Sequence, residues 1–177
     1  GPTFVGLSHF PVSPTAADPV RVRVAARDPD GVATATLYAA VDDGAFVAHP
    51  MSGDPLEATL PAAPSGAVVQ LYVEARDGRG ATATLPRRGA DSRALYRVGD
   101  VVPGALPGLH IIMTPADRER LHRATELMSN ADVGCTVVYD GRVFYDVGVR
   151  AKGSQRGRPS DARLGFNVSF DPLEPLR

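Results

Sequence analysis

Tryptophan is absent, cysteine and lysine each occur once, and aromatic residues make up 6% of the 177-residue chain. A lone cysteine, Cys135, excludes an internal disulfide framework. Its neighbours Thr136, Val137 and Val138 make it a buried strand thiol rather than a nucleophile. Net charge is also lacking, at −1, so no global field draws the chain to nucleic acid or an anionic membrane. No apolar run is long enough to span a bilayer, and no charged-then-apolar segment opens the chain as a secretory signal does. The chain starts at Gly1-Pro2 and stops at Pro175-Leu176-Arg177, just after a strand-like stretch. That pattern is expected of a piece of a longer protein.

What is present reads first as β-structure. Val20, Val22, Val24 and Ala26 alternate with Arg21, Arg23 and Arg27, as in a half-buried strand. Asp28-Pro29-Asp30-Gly31 is turn chemistry, followed by a strand over 34–41, a turn at Asp42-Asp43-Gly44, and Phe46-Val47-Ala48. Residues 56–60, 68–75 and 82–85 complete the set. About seven short strands in roughly 90 residues predict a β-sandwich of immunoglobulin or fibronectin type III kind over 1–98. Ala26-Arg27-Asp28, a turn and Ala33-Thr34-Ala35-Thr36-Leu37 are echoed by Ala75-Arg76-Asp77, a turn and Ala81-Thr82-Ala83-Thr84-Leu85. The carboxylates at 28, 30, 42 and 43 invite calcium, but they fit stock turns and lack the twelve-residue loop pattern. His9, His49, His110 and His122 show no metal spacing and read as surface or boundary residues.

A Gly- and Pro-rich linker is expected at 99–108. Beyond it the pattern changes to a small α+β segment, 109–177. A strand over 109–113 precedes a helix with Thr114 as N-cap, Pro115 in its first turn and Asp117 completing a capping box. The expected helix carries Leu121, Ala124 and Met128 on one stripe, with Leu127 at its edge, and ends at Ser129-Asn130. A strand over 135–139 and an Asp140-Gly141 turn lead to the most distinctive stretch, 143–158, VFYDVGVRAKGSQRGR. Alternation there puts Tyr145, Val147, Val149 and Ala151 on one face. Phe144, Asp146, Gly148, Arg150 and Lys152 take the other, where Gly148 leaves the surface beside the cations open. Asp146, like Asp171 further on, reads as a strand-edge residue. Lys152 survives a bias that has put arginine at every other basic position outside histidine. The loop after it, with Gly153, Ser154 and Arg156, has glycines that let N–H groups turn toward an anion. A last strand, with Phe166, Val168 and Phe170 on one face, is expected to pair antiparallel with 143–152. Its Asn167-Val168-Ser169 is formally a glycosylation sequon.

The segment with Met-Thr-Pro-Ala-Asp, Tyr139-Asp140-Gly141, Tyr145 to Ser154 (YDVGVRAKGS) and Gly165-Phe166-Asn167-Val168-Ser169-Phe170 resembles the start of the spore-coat-protein-H (CotH) kinase family. The resemblance implies part of a kinase-like N-terminal lobe preceded by an immunoglobulin-like domain, in an extracellular or cell-envelope protein. It implies ATP with magnesium or manganese, transfer to Ser or Thr of an exported protein, and Arg150, Lys152, Gly153, Ser154 and Arg156 around the phosphates. It also implies that the metal-binding carboxylates lie beyond Arg177, leaving no catalytic residue in this chain and no activity of its own. A truncated lobe is expected to self-associate through its last strand or to leave 153–164 disordered. The alternative expectation is a non-enzymatic adhesion module that recognises glycan or protein through the sandwich; a third is that the sandwich merely spaces the kinase from the cell surface.

Overall fold

A computed structural model of the chain describes residues 1–99, 108–123, 131–152 and 165–170. The core of the expected linker, the later helix positions 124–130, the basic loop 153–164 and the tail 171–177 lie outside the described residues. The fold is mostly β, with antiparallel sheets and, among the described residues, one α-helix. Strands β1 (Thr3–Phe10), β2 (Val20–Arg27) and β5 (Leu56–Leu60) form a sheet in the order β1-β2-β5. Strands β3 (Val32–Val41), β4 (Val47–Pro50), β6 (Val68–Asp77), β7 (Thr82–Leu85) and β8 (Ala94–Arg97) form a second. Its order is β4-β3-β6-β7, with β8 also paired to β6.

The two sheets face each other across one apolar core. Val20, Val22, Val24 and Leu60 come from the first sheet; Leu37, Leu71, Val73 and Tyr96 come from the second. Period-2 alternation puts these side chains inward and Arg21 and Arg23 outward. On the outer face, Tyr38 and Tyr72 are cross-strand partners whose rings stack at 4.8 Å.

Two strands were invisible to alternation. In β1 the register shifts between Val5 and Ser8 around Gly6, which has φ +71°. The bulge breaks the period, so Phe4 and Leu7 still pack on the core while Val5 is 73% exposed. In β8, Ala94, Leu95 and Tyr96 are buried in succession because both of its faces are covered. Ala94 and Tyr96 enter the first core, and Leu95 joins Val68, Ile112 and Val138 in another.

Val138 and Ile112 belong to a third sheet, β12-β11-β10-β9, made of β9 (Leu109–Ile112), β10 (Val133–Tyr139), β11 (Arg142–Lys152) and β12 (Gly165–Ser169). Helix α1 (Pro115–His122) buries Leu121 against Val133, Cys135, Val137, Val147 and Val149 of this sheet. Thr114 caps it, accepting from the Asp117 N–H at 3.2 Å. The Asp117 carboxylate instead binds the Thr114 hydroxyl and Arg93 Nε. The face of the third sheet away from α1 docks on β8 and β6. No helix among the described residues is long and apolar enough to cross a membrane.

Candidate functional site

The candidate site grows out of the β10–β11 hairpin. Asp140 and Gly141, both at positive φ (48° and 73°), form a two-residue turn that sets Tyr139 opposite Arg142. The register then slips. Cys135 pairs with Val147 and Val137 with Phe144, so Tyr145 and Asp146 together face the single residue Thr136. Asp146 takes φ 54°, the mark of a bulge. One extra residue exchanges the faces of what precedes it. Phe144 therefore packs with Val147 and Val149 in the third sheet's core, and Tyr145 turns toward the first module. The faces read from strict alternation are corrected here: Tyr145 and Phe144 trade places.

Beyond the bulge alternation holds. β12 pairs antiparallel with β11, setting Ser169 opposite Gly148, Asn167 opposite Arg150 and Gly165 opposite Lys152 on one polar face. Val149 with Val168, and Ala151 with Phe166, form the other. Lys152 is exposed. Arg150 lies beside Asp132, Nε to Oδ1 being 4.0 Å, with both side chains just over a third exposed. The surface over Gly148 is not open, as the sequence suggested, because a Cβ there falls 2.7 Å from Asp132 Oδ2. Gly148 is the clearance that lets Asp132 lie across the sheet toward Arg150. Gly153, Ser154, Arg156 and Asp171 lie outside the described residues.

The bulge is also the joint between the two halves. The Asp146 N–H donates to the Arg93 carbonyl at 3.0 Å, and its carboxylate accepts from the Arg93 N–H at 3.1 Å and from Arg88 Nη2 at 2.7 Å. Asp146 is therefore a docking residue rather than a strand-edge one. Thr136 Oγ1 donates to the Arg93 carbonyl (2.7 Å) and accepts from the Leu95 N–H (2.8 Å). The Ala116 N–H at the start of α1 donates to Asp43. His9 sits at the same joint, buried, with Nδ1 2.5 Å from the Tyr145 hydroxyl and Nε2 3.1 Å from the Val12 carbonyl. Burial lowers its pKa, partly opposed by the Val12 hydrogen bond. Cys135 is buried as expected; burial first, then the charges of Asp117, Asp132 and Asp146, pushes its thiol up to about 12.

No family model matches the chain, and no curated protein matches it.

A second polar cluster lies far from Arg150. Asp28, Asp30 and Asp77 bring carboxylate oxygens within 4.8 Å of one another, the only such acidic group among the described residues. Asp28 Oδ1 accepts from the Asp30 N–H, and Asp77 Oδ1 accepts from the N–H groups of Arg79 and Ala81, so both loops are side-chain-closed turns. The amino group of Gly1 lies 3.7 Å from Asp28 and 3.5 Å from Asp77. The sequence echo thus corresponds to two matching turns at one end of the first module, where the Gly78 N–H bonds the Gly31 carbonyl. An open cleft of about 750 Å³ beside them is lined by Thr3, Asp28, Thr34, Met51, Asp54 and Leu56, among others. Among the described residues, no group of three metal-ligating side chains lies at Arg150, whose ion pair with Asp132 spans 4.0 Å, for the magnesium or manganese implied by the kinase resemblance.

Proposed function

We propose that residues 109–177 are the opening part of a CotH-like kinase lobe and that residues 1–98 are an immunoglobulin- or fibronectin-like sandwich ahead of it. The reading rests on one observation: β12 is paired so that Arg150 and Lys152 share a polar face with Asn167. In this reading the two cations hold the phosphates of ATP by charge and Asn167 donates a directional hydrogen bond. The acceptor is a Ser or Thr of an exported protein, at the cell envelope or outside the cell. ATP must displace Asp132 from Arg150, a partly exposed pair of the kind worth about 0–1 kcal/mol. The described residues hold no metal-ligating group at Arg150, so no step of phosphoryl transfer is assigned to them, and in this reading the chain binds nucleotide without turnover.

The test is an ATP titration followed by backbone amide shifts. Binding is expected to move Arg150 to Lys152 and Asn167 and to weaken about tenfold or more in an Arg150→Ala/Lys152→Ala double variant. Silence of those amides at millimolar ATP overturns the reading. A second reading, an adhesion module for glycan or protein, is favoured by the open cleft of the first module. It requires a polymer to perturb Thr3, Thr34 and Leu56 while ATP leaves β11 untouched.

A further inference from the structure

His9 is a histidine of the first module buried against Tyr145 of β11. It is 4% exposed. Its ring stacks on Tyr96 of β8 at 5.1 Å and meets Tyr145 of β11 at 5.9 Å, tilted by 50°. The Val12 carbonyl accepts only, so Nε2 carries the hydrogen and Nδ1 accepts from the Tyr145 hydroxyl. The neutral ring is thus satisfied at both nitrogens. Protonation places a second N–H against the hydroxyl and a full charge in a site almost closed to water.

Among the described residues the ring meets no counter-charge. Facing the ring are two tyrosines and a carbonyl. On β2 the partner of His9 is Val22, and the flanking Arg21 and Arg23 are exposed on the other face. β7 contributes Thr82 to Leu85, none of them titratable. On β11, Asp146 follows Tyr145, but its carboxylate is held by Arg88 and the Arg93 N–H. Stacking on Tyr96 offsets only part of the desolvation of an unpaired imidazolium. The ring's contact outside its own module is Tyr145, so lifting β11 is the opening that hydrates His9 while leaving the β1–β2 ladder intact.

We infer that His9 is an acid-sensitive latch whose protonation releases the third sheet from the first two. The folded ring resists protonation more than a free histidine does. The docked state is therefore complete above the free-histidine pKa and is lost as the pH falls below it toward the ring's lowered value.

The test is amide hydrogen exchange, corrected for intrinsic rates, at about pH 7.5 and about pH 5.0, with the His9 ring titrated by its own resonances. Leu95 and Asp146, whose N–H groups bond across the joint, are expected to lose roughly tenfold protection at the lower pH, while Leu37 and Val73 keep theirs. His9→Phe, with no proton to gain, is expected to abolish the pH dependence. If that variant folds poorly, Tyr145→Phe supplies the second arm: without the hydroxyl on Nδ1, ring titration and joint opening are expected to move together. Unchanged protection at Leu95 and Asp146 overturns the inference. So does the same loss in His9→Phe, loss at all amides together, or a ring midpoint that does not track the opening.

Discussion

Gly134 and Gly148 face each other across β10 and β11, and each is glycine because of a different neighbour. A Cβ on Gly134 comes within 2.6 Å of Arg93 Cγ, and that arginine is tied to Asp117 and to the Ser92 carbonyl. A Cβ on Gly148 meets Asp132 Oδ2 at 2.7 Å and its Cβ and Cγ at 3.1 Å. The partly exposed carboxylate can swing away, and the Asp132 Cβ has to give by only a few tenths of an ångström. Gly134→Ala is therefore expected to cost about 1–3 kcal/mol in urea unfolding, and Gly148→Ala less than about 1 kcal/mol. Equal losses, or the reverse order, show that Arg93 is not fixed as described. In the sequence Gly148 was legible as a strand position beside two cations. Its true neighbour, Asp132, was not, because nothing in a local pattern shows which loop side chain folds back over a sheet.

At the level of the element, the β11 bulge decides which side chains face the core and which face the first module. Asp146 combines a left-handed backbone with an acceptor for Arg88 and the Arg93 N–H. Asn tolerates that backbone and still accepts a hydrogen bond, so Asp146→Asn is expected to cost about 1 kcal/mol. Asp146→Gly keeps the backbone and loses the acceptor, for about 1–2 kcal/mol. Asp146→Val loses the acceptor and strains the backbone, for about 3 kcal/mol. Thermal unfolding of the three variants checks the order, and a valine as mild as asparagine contradicts the bulge. Helix α1 was easier to read. Its Thr-Pro-x-Asp start is a local device, and the capping bond from Asp117 to Thr114 follows from it. The turn of the Asp117 carboxylate toward Arg93 does not, since that partner is 24 residues away.

For the whole molecule, the question is how the third sheet is fastened to the first two. Thr136, fully buried, gives β8 an acceptor for the Leu95 N–H on the side that no strand covers. Thr136→Val keeps the shape and removes that acceptor, while the Arg93 carbonyl retains the Asp146 N–H. A loss of about 1–3 kcal/mol is expected, read in urea unfolding, with the joint amides losing protection first. A loss below about 0.5 kcal/mol shows that the joint is carried by the apolar contacts of Leu95, Val68, Ile112 and Val138 alone.

The sequence by itself determined what depends on near neighbours: the alternating strands β2, β3 and β6, the turns at Asp28, Asp42 and Asp140, the cap of α1, and the shared face of Arg150 and Lys152. These follow from backbone sterics and from periods of two or three to four residues, which need no distant partner. Tertiary structure alone decided the rest: the bulged β1, the doubly covered β8, the exchange of Phe144 with Tyr145, Asp132 over Gly148, and His9 closed under Tyr145. Each of these depends on contacts between residues far apart in the chain, where burial from a second side overrides the local period.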